Sequence, residues 1–284
     1  MLSYNRFNKL DNIQMKLILT SFSILWVLFT TPVNTAGNAI LVQSTTSTKN
    51  SGFYDYILPK FQAETGITVN VVAVGTGAAI KNARNCDGDV LLVHSPEHEQ
   101  KFVADGYAEK RYDVMYNEFV IVGPNTDPAG LSELQDVTLA FEKIALTGAK
   151  FASRSDNSGT HSKELSIWRE ARLNPEAWSG KWYFETGSGM GTTLNTAVGM
   201  SAYTLVDRAS WHSFSNKHDF QIIMEGDKRL FNPYGIMLIS KEKCPSVKSK
   251  EGQLFIDWLI SDKGQKIIGQ FTINERRVFN PHSD

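Results

Sequence analysis

This sequence has little of what would mark a nucleic-acid binder or a familiar enzyme. Lysine and arginine number 29 and aspartate and glutamate 30, a net charge of −1. That balance excludes the strong basic bias of a nucleic-acid-binding domain. It leaves room for a small anion, which neutral N–H and O–H donors can hold locally. There is no G-x-S-x-G nucleophile elbow and no phosphate loop ending in Gly-Lys-Ser/Thr. Low-complexity segments and strong linkers are absent as well. Only two cysteines occur, Cys86 and Cys244. An oxidising compartment would let them pair, but nothing in the sequence fixes their geometry.

Long apolar runs are confined to the N-terminus. Arg6, Lys9 and Lys16 precede a run from Leu17 to Phe29, and the small residues Thr35, Ala36, Gly37 and Ala39 follow. This is the layout of a secretory signal peptide over residues 1–36, cleaved after about 36–39. The run falls short of the roughly 20 residues that a membrane span prefers. Removing residues 1–36 strips three basic side chains and Asp11, leaving 26 basic residues against 29 acidic ones. The mature chain is expected to be exported, soluble and mildly acidic. Its ordinary composition and length suit one large or two modest domains.

The most informative stretch runs from Leu41 to Phe61. The apolar run Ile40, Leu41, Val42 reads as a buried strand and ends in Ser44, Thr45, Thr46, Ser47 and Thr48. Phe53, Ile57 and Phe61 then recur at the spacing of a helix core face. Five hydroxyls therefore stand between a strand and a helix N-terminus, whose unpaired N–H groups and dipole attract anions. One or two of them would suffice to cap a helix.

The device recurs. Ile67–Val74 is a β-branched strand that stops at Gly75-Thr76-Gly77 before a helical stretch, 78–85. Val90–Ser95 is a third strand, followed by an amphipathic helix with Phe102 and Val103. Strands alternating with helices over short connections imply a parallel sheet covered on both faces, with ligands beyond the strands' carboxyl ends. Another strand, 116–122, leads to a second unit. There a helix-like 131–136, a helix over 142–148 and a strand over 149–152 feed the loop Ser153–Thr160. A helix with inner residues Leu165, Trp168 and Leu173 follows. Arg154 in that loop offers a planar fork of donors with a permanent charge. Asp156 could pair with it or cap the helix. A third glycine- and hydroxyl-rich loop, Gly187–Thr193, precedes helix 194–200. Strands over 201–207, 220–224 and 234–240 and two last helices complete a chain that enters a second α/β unit and returns.

Two enzymatic readings deserve statement. His94 and His98 have the spacing of a metal pair on one helix face, although His94 falls where a strand ends. His161 could serve Ser158 as a base, but a first-turn helix residue is the simpler reading. Trp168, Trp178, Trp182, Trp211 and Trp258 read as core.

The segments STTSTKNSG, VAVGTG, DVLLVHSPEHEQKFVADGY, YDVMYNEFVIVGP, DPAG, FASRSDNSGTHSKEL and GSGMGTTLN, in this order, resemble the solute-binding proteins of bacterial Tup-type tungstate ABC transporters. The resemblance spans nearly the whole mature chain. It implies an α/β, two-lobed periplasmic-binding-protein fold of type II, each lobe a mostly parallel sheet flanked by helices, with the ligand cleft between them. Lobe 1 would comprise 37–118 and 231–284, and lobe 2 would comprise 119–230. Implied contacts are Thr45, Thr46 and Ser47 from one lobe with Arg154, Ser158 and Thr160 from the other, and Thr76 and Thr192 in support. The family's opening run has a threonine where this chain has Ser44. Its arginine loop usually carries glycine and a second aspartate where Ser155 and Asn157 stand. The resemblance also implies a periplasmic, monomeric binder of tungstate or molybdate, with no cofactor, no protein-coordinated cation and a membrane permease as partner. Both oxyanions are fully deprotonated near neutral pH, so a good site offers donors only, whereas hydrogen phosphate would also need an acceptor. No spacing in the sequence separates tungstate from molybdate.

Overall fold

The computed structural model describes residues 38–282, so the expected signal peptide lies outside the described residues. The described chain begins with strand β1 (Ala39–Thr45), helices α1 (Thr46–Asn50) and α2 (Phe53–Thr65), and strand β2 (Thr68–Val74). Helix α3 (Thr76–Arg84), strand β3 (Val90–Val93), helix α4 (Pro96–Ala104) and the long strand β4 (Tyr112–Pro124) follow. Next come α5 (Val137–Thr147), β5 (Phe151–Ser153), α6 (Gly159–Glu170), β6 (Tyr183–Glu185) and α7 (Met190–Met200). Strand β7 (Thr204–Asp207), helix α8 (Arg208–Ser213), β8 (Phe220–Met224) and β9 (Phe231–Leu238) lead to α9 (Ser249–Ile260) and α10 (Asp262–Gly269). No helix among the described residues is long and apolar enough to cross a membrane.

Strand β1 lies between two parallel neighbours, β2 and β3. The central strands are covered on both faces, and the two-residue period of a strand divides their side chains between two cores. Val90 and Leu92 join Phe53, Phe61 and Phe255, while Leu91 and Val93 join Phe102 and Met237. The same division recurs along β4. Phe119 and Ile121 pack with Phe141, Trp168 and Tyr203, and Val120 and Val122 pack with Leu194, Val206 and Trp211. Strand β4 thus serves both halves. Through Glu118 it pairs antiparallel with β9, and from Phe119 onward with β7 and β8.

Parallel pairing holds for β1 with β2 and β3, and for β5 with β6. The expectation of mostly parallel sheets gives way to mixed ones, because β4 and β9 pass between the halves and run antiparallel to their neighbours. Residues 131–136 form turns instead of a helix. The Asp127 carboxylate accepts the Leu131 and Ser132 N–H groups, and Asp136 caps α5. The inner face of α6 is Glu164, Ile167 and Trp168, with Leu165 only half-buried. Trp178 is 47 % exposed and not core. Cys86 and Cys244, 158 positions apart, are disulfide-bonded with Cα atoms 5.2 Å apart, tying the chain after α3 to the segment before α9.

Candidate anion-binding site

Parallel pairing aligns the carboxyl ends of β1, β2 and β3, so the segments that follow them open on one side. Thr45 faces Val74 in register, and Ser44 faces Leu92. Thr45 caps α1: its Oγ1 accepts from the Thr48 N–H and lies 2.8 Å from Thr48 Oγ1 and 3.1 Å from Ser47 Oγ. Thr46, the first residue of α1, is half-buried. Ser44, the first of the five hydroxyls, is spent on structure, bonded to Tyr54 Oη and donating to the Leu92 carbonyl.

The second half repeats the arrangement. Ser153 ends β5 opposite Glu185 of β6, and Arg154 follows. Backbone bonds from Thr186 N–H to the Ser153 carbonyl and from Ser188 N–H to the Arg154 carbonyl stitch the 186–189 loop behind it. Arg154 is 4 % exposed. Its Nη2 donates to Asp156 at 2.5 Å and its Nη1 to Thr160 Oγ1 at 3.4 Å, while Nε is buried with no partner. Asp156 pairs with Arg154 and does not cap the helix; its second oxygen accepts the N–H of Ser158, the residue that does. Ser158 caps α6 by accepting the His161 N–H. Beneath the loop, the Glu164 carboxyl accepts from Ser153, Trp168 and Tyr183. Burial pushes it up to about 7 against those three bonds.

The two sets of loops meet. The Gly159 N–H donates to Thr76 Oγ1 at 3.2 Å, bridging the N-termini of α6 and α3. A Cβ at Gly159 would stand 3.1 Å from the His94 carbonyl and 3.4 Å from Thr76 Oγ1, and one at Gly77 would stand 3.6 Å from the Asn157 carbonyl. The structure thereby gathers Thr45, Ser47 and Thr76 close to the loop of Arg154, Ser158 and Thr160. Thr192 does not join them. It is exposed in the first turn of α7, where its carbonyl accepts from Thr196, whereas the neighbouring Thr193 is buried against Thr186.

His94, just beyond β3, has a different role from the metal pair its spacing suggested. Its Nε2 lies 3.1 Å from Ser47 Oγ and its Nδ1 3.0 Å from Asn232 Oδ1, and its ring stacks on Tyr234. His98 instead bonds Ser95 through Nδ1. No group of three or more metal-ligating side chains occurs among the described residues. Burial holds the His94 imidazole below the ordinary histidine value; the Asp207 carboxylate and the Asn232 hydrogen bond pull upward, and Arg154 adds to the lowering. Nor do Ser158 and His161 form a nucleophile–base pair, since the contact to Ser158 Oγ is made by the His161 backbone N–H. Its ring Nδ1 accepts from the Asn157 N–H. Sequence reasoning also missed Asp207 and Asn232, which follow or begin strands without any hydroxyl-rich signature.

Two α/β halves that bring hydroxyl-rich helix N-termini and one buried arginine together have the arrangement of a binding protein. The PBP superfamily domain model matches residues 31–263. The chain is 42% identical over 238 residues to the tungstate-binding protein TupA of Peptoclostridium acidaminophilum, covering 83% of this chain and 82% of the relative. A putative ABC transporter anion-binding protein of Haloferax volcanii is 41% identical over 86% of this chain and 72% of its own length. The solved structure of the tungstate-binding protein TupA from Desulfovibrio alaskensis G20 matches with a TM-score of 0.76 at 40% identity, covering 86% of this chain and 98% of that one. The chain belongs to the PBP superfamily and, within it, to the TupA family.

Proposed function

We propose that this protein captures tungstate from outside the cytoplasm and passes it to the permease of an ABC transporter, acting as a monomer after export through its signal peptide. The relatives' names and the donor chemistry of the cleft support this reading. Lobe 1 is 37–118 with 231–284 and lobe 2 is 119–230, a division supported by the change of partners along β4 between Glu118 and Phe119. Ligand contacts come from Thr45, Thr46 and Ser47 on one side and Arg154, Ser158 and Thr160 on the other. Thr76 serves closure through its bond to Gly159.

The observation that carries the proposal is the buried Arg154 guanidinium, with its unpartnered Nε and with Nη1 on the Thr160 hydroxyl. An arginine fork and neutral donors suit a tetrahedral dianion whose oxygens all accept. Binding across the cleft favours the closed arrangement by as much as the ligand prefers it.

A second reading, hydrogen phosphate, is favoured by Asp207. One of its carboxylate oxygens caps α8, and the other is buried without a partner within electrostatic reach of His94. A competition titration by calorimetry decides between them. Tungstate should bind tightly, sulfate and phosphate hardly at all, and the ratio of tungstate to molybdate affinity is read in the same experiment. Phosphate binding as strong as tungstate binding would overturn the donor-only argument.

A further inference from the structure

We propose that His94 is a positioning residue that, held by Asn232 and Asn117, directs the Ser47 hydroxyl proton into the anion cleft. The proposal rests on the oxyanion reading given above.

The ring is fixed on every side. It is 4 % exposed and stacks on Tyr234 with centroids 4.7 Å apart and planes 23° apart. Gly159 of the facing loop leaves no more than van der Waals space at its Cε1. Its two nitrogens join a continuous chain: Ser47 Oγ, His94, the Asn232 amide and the Asn117 amide, the last contact only 2.6 Å. Asn117 and Asn232 are partners in register on β4 and β9, so sheet pairing holds this end of the chain in place. The charged groups facing the ring are Asp207 and Arg154.

A buried neutral imidazole has one N–H, so the chain can run in either of two directions. In one, His94 Nδ1–H donates to Asn232 Oδ1 and Asn232 Nδ2 donates to Asn117 Oδ1. Nε2 is then an acceptor and takes the Ser47 proton, leaving Ser47 only lone pairs to turn toward an anion. That direction also leaves Asn117 Nδ2 buried without an acceptor. Turning both amides over reverses the chain while keeping the same heavy-atom positions. Asn117 then donates to Asn232, Asn232 donates to Nδ1, and Nε2–H donates to Ser47 Oγ. The orphan becomes a carbonyl oxygen, which is less costly to leave unpaired than an N–H. The neighbouring Tyr234 hydroxyl is also unpartnered, and as both donor and acceptor it does not distinguish the two directions. Ser47, its lone pair satisfied, then has its proton available for the oxyanion, with Thr45 Oγ1 at 3.1 Å as the competing acceptor when no anion is bound. The second direction leaves the less costly orphan and supplies one more donor to the cleft.

The tautomer is read directly from imidazole nitrogen shifts in the intact, ligand-free protein labelled with 15N-histidine. A proton on Nε2 is expected, and a proton on Nδ1 overturns the proposal. This measurement does not depend on the ligand, so it decides the matter even if the protein fails to bind tungstate and the oxyanion reading falls. The consequence for binding is tested by tungstate calorimetry on variants. His94→Asn cannot reach Ser47 and should weaken binding about tenfold, the usual effect of one lost hydrogen bond to a charged group. His94→Gln, whose amide nitrogen can stand in for Nε2, should stay within about threefold of wild type. In a Ser47→Ala background, His94→Asn should cost nothing further. Equal losses in the Gln and Asn variants, or a loss undiminished by Ser47→Ala, would mean that His94 only packs.

Discussion

Replacing Arg154 with alanine tests the site most severely. The side chain is 5 % exposed and is held by Asp156 and Thr160, so the charge meets a ligand with little water between them. At an effective dielectric of about 20, two unit charges about 5 Å apart interact by roughly 3 kcal/mol. Losing a buried charge partner costs about 2–5 kcal/mol, or roughly thirtyfold to several-thousandfold in Kd. Arg154→Ala should fall in the upper half of that range, because it also leaves the Asp156 carboxylate uncompensated and facing the anion. Arg154→Lys keeps the charge but loses the fork, and should lie between alanine and wild type. Combining Arg154→Ala with Asp156→Asn should recover part of the loss, which separates repulsion from the missing fork. Calorimetric titration with tungstate gives the affinities, and thermal unfolding of the ligand-free variants checks that each is folded. If Arg154→Ala binds as wild type does, the whole assignment of the cleft is wrong.

Three further perturbations test other parts of the argument. Gly159→Ala places a methyl group 3.1 Å from the His94 carbonyl; it should weaken tungstate binding by about 1–2 kcal/mol while leaving ligand-free stability near wild type, and unchanged affinity would show that the loops are not pressed together. Ser155 stands at a φ of 44°, so Ser155→Gly should raise the urea unfolding free energy by about 1 kcal/mol, and a loss of stability would refute the claim of backbone strain. Glu164 titrates at about 7 in the fold against an ordinary value of 4.5, so it takes up a proton on folding between those values. Its favourable contribution is complete below about 4.5 and is lost as pH rises through 7. Glu164→Gln cannot ionise, and between pH 5 and pH 8 its unfolding free energy should gain on wild type by up to about 3 kcal/mol; a difference that does not vary with pH would refute the assignment.

Much of this was legible before any coordinates. Strands ending in hydroxyl-rich loops marked the helix N-termini that the fold brings together, because strand period and helix-cap chemistry are local and leave a local pattern. Arg154 stood out for the same reason, and the resemblance supplied the partnership between its loop and Thr45–Ser47. Thr192 is exposed because α7 begins at Met190, two positions before it, and a one-residue phase buries Thr193 instead. Glu164 carries no signal in the sequence, because its three donors come from β5, β6 and its own helix. The His94–Asn232–Asn117 chain was invisible for a related reason. Its members lie up to 138 positions apart, and the pairing of β9 with both β3 and β4 brings them together. Glycine would fit more easily at position 155 than the serine found there, a departure that the left-handed backbone makes physically specific.

Two adjacent backbone crossings, one in the middle of β4 and one at the start of β9, have a mechanical consequence. Antiparallel strands about 4.8 Å apart form a narrow ribbon, easy to flex across its thin direction and stiff against shear in its plane. Asn117 and Asn232 are clasped across this ribbon, so its twist sets the position of the imidazole that touches Ser47.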